Sequence, residues 1–289
     1  MEAPRVTALL TCHDRREATL RCLRALEAQQ VDAQVTAVLV DADSNDGTAA
    51  AVGEAHPWVR VFHAPADVFW NAGMRLAWEA AWEDEPRYFL WLNDDVALDP
   101  DALARLLASA QHLERVQGQP AILAGATRDP ETAEVTYGAV HRPRRWSPLD
   151  FRIVPPGDRP RRAETTNGNC VLVPRDVAKR VGTLEPAFVH RMGDFDYGLR
   201  ARAAGFDVWA APGTIGTCAR NPRVSRSVGQ EIERLKGPKG LPPREWGLFC
   251  RRWAGPFWPL YFASPYVRRV LRRALEAGAR RARSLRERP

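Results

Sequence analysis

The sequence predicts an α/β protein in which a mostly parallel sheet is flanked by helices and followed by a helical C-terminal extension. Three observations carry this prediction. Tyr88-Phe89-Leu90-Trp91-Leu92 is an unbroken apolar run that ends in Asn93-Asp94-Asp95, the pattern of a strand buried on both faces. Short apolar runs of this kind alternate with helix-period segments through the first 115 or so residues, as in a sheet with right-handed crossovers. Apolar residues make up 45% and charged residues 27% of the 289-residue chain, enough to bury a sizeable core.

Element by element, residues 6–11 read as a strand and His13-Asp14-Arg15 as a polar turn. Leu20, Leu23 and Leu26 then mark a helix. Residues 35–40 form a second strand that stops at Asp41, and Asp43-Ser44-Asn45-Asp46-Gly47-Thr48 turns into an Ala-rich helix near residues 48–55. A short strand follows at 59–63, a helix at 74–82 and the apolar strand at 88–92. Asp99-Pro100-Asp101 starts the next helix, with Asp99 as its cap.

Past residue 120 the alternation weakens. Residues 141–163, rich in Arg and Pro, read as a surface excursion. Strands are expected at 170–173 and 206–210, and helices at 176–181 and about 194–204, with Gly205 as a stop. Residues 221–244 read as a loop. Residues 245–267 are aromatic-rich and broken by Pro256, Pro259 and Pro265, and an Arg-rich helix ends the chain.

Several function classes are excluded by bulk properties. The five cysteines, Cys12, Cys22, Cys170, Cys218 and Cys250, form no CxxC pair, which argues against a disulfide scaffold or a zinc ribbon. No signal peptide or apolar run of about 20 residues is present, so a cytoplasmic location is expected. The net charge of +7 resides in the tail, where residues 268–289 hold nine Arg against two Glu; the remaining 33 basic and 33 acidic residues cancel. Nucleic-acid binding by the body of the protein therefore loses its support.

Three acidic clusters fall at strand ends or helix starts: Asp41 with Asp43 and Asp46, Asp94 with Asp95, and Asp194 with Asp196. Each alone reads equally well as a local turn or helix-start feature. Gathered at one sheet edge, where α/β proteins bind ligands, they would repel unless a cation or donor groups sat among them. Hard carboxylates suit Mg²⁺ or Mn²⁺ bridging to phosphate.

Four segments, in order, resemble the family-2 glycosyltransferases of the GT-A fold. Val38-Leu39-Val40-Asp41-Ala42-Asp43-Ser44-Asn45-Asp46-Gly47-Thr48 is similar to the family's nucleotide-holding turn, and Leu92-Asn93-Asp94-Asp95 stands at its DxD motif. Asn167-Gly168-Asn169-Cys170-Val171-Leu172-Val173 resembles the small-residue strand under the acceptor, and Met192 to Gly205 resembles its EDxD helix. The resemblance covers about residues 5–220 and implies a catalytic GT-A domain over 1–220, with a nucleotide-sugar half over 1–115 and an acceptor half over 116–220. Residues 221–289 are then the C-terminal extension.

By the same resemblance, Asp41 contacts the base or ribose, with Asp43 beside it, and Cys12, Asp14 and Arg15 line that pocket. Asp95 contacts a Mg²⁺ or Mn²⁺ ion, and Asp94 lies near ribose or donor sugar. Asn167 and Gly168 underlie the acceptor, Asp194 is the general base of an inverting transfer, and Asp196 orients its helix or binds acceptor. The implied activity is transfer of a hexosyl group from a nucleoside diphosphate sugar, UDP- or dTDP-linked, to a glycan or lipid-linked acceptor. The chain departs from the pattern at Asn93, which replaces an acid, at Gly193, which replaces a Glu, and at Cys218, which stands about where many members place a His metal ligand.

Trp70 and Asn71 either face the donor or belong to the core. His63 and His190 read as structural, with His190 worth testing as an acceptor contact. Arg142, Arg144 and Arg145 read as a solvated loop, with contact to an anionic acceptor as the alternative. Trp253, Phe257, Trp258, Tyr261, Phe262 and Tyr266 ahead of the Arg-rich tail suit a membrane surface at the inner face, packing on the catalytic domain, or pairing of two subunits. The rival readings are a sugar nucleotidyltransferase, disfavoured because residues 9–16 lack glycine, and a non-catalytic nucleotide-sugar or nucleic-acid binding protein.

Overall fold

The computed structural model describes residues 3–144, 146–220, 237 and 240–269. These fall into two compact units, Met1–Pro143 with Phe151–Pro222, and Arg144–Asp150 with Arg223–Pro289.

The first unit opens with four strands and their crossovers: β1 (Arg5–Cys12), α1 (Arg16–Glu27), β2 (Gln34–Asp41), α2 (Thr48–Ala55), β3 (Val59–His63), α3 (Trp70–Ala81) and β4 (Tyr88–Leu92). β5 (Ala97–Leu98), α4 (Ala102–Gln117) and β6 (Ile122–Arg128) follow, then β7 (Val135–Tyr137), β8 (Ala139–His141), β9 (Arg152–Ile153), β10 (Arg161–Ala163) and β11 (Thr165–Thr166). β12 (Cys170–Pro174), α5 (Arg175–Val181), α6 (Gly193–Ala203) and β13 (Val208–Thr217) complete it.

The main sheet runs β10-β13-β6-β12-β4-β1-β2-β3. β3, β2, β1 and β4 are parallel, β12 lies antiparallel between β4 and β6, and β13 is parallel to β6. Helices cover both faces, so β4 and β12 at the centre are buried at every position. Val6, Ala8 and Leu10 pack toward α1 and α4 in one core cluster, and Leu9, Val38 and Trp91 pack toward α3 and α6 in another. Trp91 and Tyr197 meet with ring centroids 5.1 Å apart, and Trp78 lies 5.3 Å from Tyr197. This aromatic block ties α3, β4 and α6 together.

This topology brings separate segments to one edge. The register pairs Cys12 with Asp41, and Asp41 with His63, at the carboxyl ends of the parallel strands. β4 ends there too, at Leu92. β12 runs the opposite way and starts opposite Leu92, so Asn167-Gly168-Asn169 reach the same rim from the other direction. β13 runs with β6 and its register breaks between Ala210 and Thr214. Pro212, which cannot donate to a ladder, and Gly213 at φ +62° account for the break. The bulged strand continues past the break and delivers Cys218 to the rim.

Several expectations are corrected. Asp99 does not cap α4; the cap position is Asp101, and the Asp99 carboxylate makes a two-pronged pair with Arg128, both contacts at 2.8 Å. α3 begins at Trp70 rather than 74, so Trp70 and Asn71 are its first turn. β13 runs to Thr217 through Pro212 instead of stopping at 210. The excursion at 141–163 contributes strand residues to β8, β9 and β10, and Arg142 pairs with Glu164. Arg144–Asp150 group with the second unit, where the Tyr261 hydroxyl donates to the Trp146 carbonyl at 2.7 Å.

In that second unit, α7 (Pro243–Trp253) is followed by a 3₁₀ turn at Gly255–Phe257 and a helix over 258–269. The prolines do not break this segment. Pro256 and Pro259 occupy the starts of the turn and of the helix, where a missing N–H costs little, and Pro265 is accommodated within the helix. No helix among the described residues is long and apolar enough to cross a membrane. Of the loop expected at 221–244, residues 221–236, 238 and 239 lie outside the described residues, as do Arg145 and the Arg-rich tail beyond 269, and its end is corrected because α7 begins at Pro243.

Candidate active site

Two loops at the rim are knitted together by short polar side chains. Asp14 and Asp43 adopt left-handed φ values of 51° and 57°, a conformation Asp tolerates better than most residues. The Asp14 carboxylate accepts from the Asn45 N–H at 2.7 Å, and the Asp14 N–H donates to Ser44 Oγ at 2.9 Å. Asp46 accepts from the N–H groups of Arg16, at 2.9 Å, and Thr48, at 3.0 Å, so it organises the starts of α1 and α2. Gly47 at φ +78° lets the chain turn between them.

Asp41 is buried. It accepts from the Ser44 hydroxyl and, at 3.5 Å, from the Cys12 thiol, and exposed His63 stands 3.9 Å away. Burial, and then the charges of Asp41 and Asp94, push the Cys12 thiol far up. Cys12 therefore stays a neutral donor to Asp41. Asp43 is exposed.

At the end of β4 the two acids have different surroundings. Asp94 is 5% exposed and burial lifts its pKa to about 7, against the lowering effect of Arg15. Its Oδ2 is buried without a hydrogen-bond partner among the described residues. Asp95 is more open. Arg15 reaches across from the start of α1 and straddles both acids, with Nη1 3.3 Å from Asp94 Oδ1 and Nη2 2.7 Å from Asp95 Oδ2. The other Asp95 oxygen faces the Cys218 thiol at 3.5 Å, and Cys218 Sγ is 3.6 Å from Asn169 Nδ2. Burial and the Asp95 charge push the Cys218 thiol far up, so it offers no thiolate.

Asn93 points the other way. Its Oδ1 accepts from Trp70 Nε1 at 2.7 Å. The Trp70 ring lies over Gly168, where a β-carbon would overlap it, and Asp194 borders the same spot at 3.4 Å. Asp194 in turn accepts from the N–H groups of Gly168 at 3.0 Å and Phe195 at 2.9 Å. Burial raises its pKa to about 6 despite these two donors. One chain of contacts thus runs from Asn93 through Trp70 and Gly168 to Asp194.

Three predicted residues have other surroundings. Asn71 is fully buried, and its amide donates to the carbonyls of Glu185 at 3.0 Å and Phe188 at 2.6 Å. It pins the 185–188 loop to α3. Asp196 is fully buried against Arg200 at 2.7 Å, and Arg200 also holds the carbonyls of Val181 and Thr183, each at 2.8 Å. Asp196 therefore orients α6. His190 stacks edge-on against Phe69 at 5.9 Å. Asn167 is partly buried at the rim beside Gly168.

Sequence reasoning passed over Asn169, Cys22, whose thiol donates to the Asn93 carbonyl at 3.3 Å, and Thr165, whose hydroxyl donates to the Phe195 carbonyl at 2.7 Å. Asn169 lies inside a quoted motif. Cys22 and Thr165 carry no local signal.

Among the described residues, no group of three or more His, Cys, Asp or Glu gathers as a metal-binding set. Asp95 and the unpartnered Asp94 Oδ2 are hard oxygen donors suited to Mg²⁺ or Mn²⁺. They fit such an ion when the remaining ligands come from a diphosphate and water.

A sequence model described as Glycosyl transferase family 2 matches residues 7–171. The galactofuranosyltransferase GlfT2 of Mycobacterium tuberculosis is 28% identical over 160 residues, covering 48% of this chain and 24% of that protein, so the chain matches about a quarter of its relative's length. Among solved structures, GalNAc-T7 with UDP, GalNAc and Mn²⁺ superposes with a TM-score of 0.59 at 12% identity, covering 77% of this chain and 45% of that one. S. aureus TarS 1–349 in complex with UDP superposes at 0.56 and 12% identity, covering 75% and 61%. At such identities these likenesses establish the fold, which is GT-A. By the match over residues 7–171, the chain belongs to glycosyl transferase family 2.

Proposed function

We propose that this glycosyltransferase moves a hexosyl group from a nucleoside diphosphate sugar to a hydroxyl of a glycan or glycoconjugate, with inversion at the anomeric carbon. The observation that carries this reading is the contact chain Asn93–Trp70–Gly168–Asp194, which joins the residue next to the acids at the end of β4 to a half-buried carboxylate on α6. UDP or dTDP is the expected carrier; UDP accompanies both solved relatives described above.

In the proposed mechanism Asp41 and the Cys12–Arg15 segment take the nucleoside end, and Asn167 and Gly168 border the acceptor. Asp194, with a pKa of about 6, accepts the acceptor hydroxyl proton as its oxygen bonds to the anomeric carbon. The bond from that carbon to the diphosphate oxygen breaks with its electron pair leaving on the diphosphate. A single displacement of this kind inverts the centre. A Mg²⁺ or Mn²⁺ ion held by Asp95 and diphosphate oxygens would neutralise the departing charge.

The test is a thermal-shift panel of UDP-, dTDP- and GDP-linked compounds with and without Mn²⁺, since a ligand of the native state raises Tm. One productive nucleotide then allows the anomeric configuration of the product to be read by NMR. Retention of configuration would remove Asp194 as direct base. Nucleotide-sugar synthesis in place of transfer would favour a nucleotidyltransferase, and salt-sensitive gel shifts a nucleic-acid binder.

A lipid-linked acceptor and a membrane-surface location belong to the same proposal. Phe257, Leu260 and Val267 are 66%, 68% and 52% exposed in the second unit, ahead of the Arg-rich tail. Co-sedimentation with anionic liposomes should fall for a chain ending at Val267. Undiminished binding would end that part of the reading and leave subunit pairing, which sedimentation velocity measures.

A further inference from the structure

We propose that Arg15 is a built-in counter-ion that holds the cation seat between Asp94 and Asp95, so that a divalent cation enters only together with a diphosphate that draws the guanidinium away. The inference rests on the nucleoside diphosphate donor proposed above.

The geometry of the seat points to it. Arg15 spans both carboxylates, at 3.3 Å and 2.7 Å, and takes one oxygen of each. The second Asp95 oxygen meets the Cys218 thiol at 3.5 Å, and the Asn93 amide oxygen is committed to Trp70 at 2.7 Å. Among the described residues, Asp94 Oδ2 is left as a buried oxygen without a hydrogen-bond partner. A bare Mg²⁺ or Mn²⁺ seeks about six oxygen ligands. Here it would have to expel a positive charge from two carboxylates and would find too few donors in return.

A diphosphate changes both terms. Its oxygens complete the coordination shell, and a guanidinium fork matches phosphate in the same two-pronged way that it matches carboxylate. Arg15 can therefore transfer from the acids to the phosphates without losing its hydrogen bonds. Its side chain is 43% exposed at the start of α1, so it has open solvent to swing through. The exchange leaves two positive charges on the carboxylate pair and one on the diphosphate.

The test measures Mn²⁺ binding directly, from the electron paramagnetic resonance signal of free Mn²⁺, for the full chain and for Arg15→Met, with and without UDP. The wild-type chain should take up Mn²⁺ only when UDP is present. Arg15→Met should bind Mn²⁺ without nucleotide at least roughly tenfold more tightly than wild type, and adding Asp95→Asn should abolish that gain. Equal Mn²⁺ binding by wild type with and without UDP overturns the proposal, as does unchanged nucleotide-free affinity in Arg15→Met. If Arg15→Met does not fold, the two wild-type arms still decide. Failure of the donor reading shows separately, as absence of any nucleotide-induced Tm shift both in EDTA and with Mn²⁺.

Discussion

A β-carbon on residue 193 would overlap the side-chain oxygen of Asn71, whose amide nitrogen is already committed to two carbonyls of the 185–188 loop. This explains why glycine stands where the family carries Glu. Asn71 occupies the space from α3, and the residue preceding Asp194 yields to it.

Restoring the family residue with Gly193→Glu should therefore destabilise the protein, by about 1–3 kcal/mol as overpacked sites do. Activity should fall with it. Chemical denaturation measures the first effect. Trimming the obstacle with Asn71→Ala in the Gly193→Glu background should recover part of the loss; no recovery would mean that the clash is not its cause.

Asp194→Asn should keep the fold and the nucleotide-induced Tm shift but lower kcat/KM by about 10²–10⁴-fold, the usual worth of a positioned base. In the wild type, kcat/KM should rise with pH and level off above an apparent pKa of about 6, because only the ionised carboxylate accepts a proton. A flat profile through that range would remove Asp194 from this role.

Stability should show the opposite trend. Asp94 and Asp194 have folded-state pKa values of about 7 and about 6, above the roughly 3.9 of an unfolded Asp. The folded state thus binds protons more tightly than the unfolded chain between those values. The stability this contributes is complete below about pH 4 and is lost as pH rises to 6–7. Tm of Asp194→Asn should decline less over that window than Tm of wild type.

Trp70→Phe keeps an aromatic ring over Gly168 but removes the donor to Asn93. We expect a loss of about 1 kcal/mol in stability and a higher KM for the donor, with a smaller change in kcat. Gly168→Ala should be worse, because the added methyl overlaps the Trp70 ring and crowds Asp194. Steady-state kinetics of both variants would check the ranking.

Arg200→Met removes the guanidinium from Asp196, which is 0% exposed. Breaking a buried pair by deleting one partner costs about 3–5 kcal/mol, and the Val181 and Thr183 carbonyls lose a donor as well. Urea denaturation should report a loss of that size. A loss below about 1 kcal/mol would show that other groups satisfy Asp196.

How much of this was legible in the sequence varies by element. The strands at 59–63 and 88–92 coincide with β3 and β4, and β1, β2, α1, α2, α5 and α6 lie within one to four residues of expectation at each end. Their signals are local: an apolar run, a 3.6-residue period, a Gly at the turn. β6 and the long β13 were missed or cut short. β6 follows α4 but reads Ile122-Leu123-Ala124-Gly125-Ala126-Thr127-Arg128, short of the bulky β-branched and aromatic residues that mark a strand, and Pro212-Gly213 reads as an end although the bulge absorbs it.

The candidate site was legible as a set of segments, not as a set of roles. The order of the four motifs identified Asp41, Asp94, Asp95 and Asp194. Whether Asn71 touched substrate or packed against the residue before Asp194 could not be read from its neighbours in sequence, because the groups that decide it lie 114 and 117 residues away.

The sequence by itself determined the layered α/β architecture, the family, and the residue types brought to the rim, because burial pattern and turn chemistry are written within a few consecutive residues. Only the tertiary structure decided that Arg15 straddles Asp94 and Asp95, that Cys218 faces Asp95 after a bulge, and that Trp70 joins Asn93 to Gly168 and Asp194. Those partners are 80 and 123 residues apart in the first two cases. Contacts at such separations follow from strand order and register, which no local periodicity encodes.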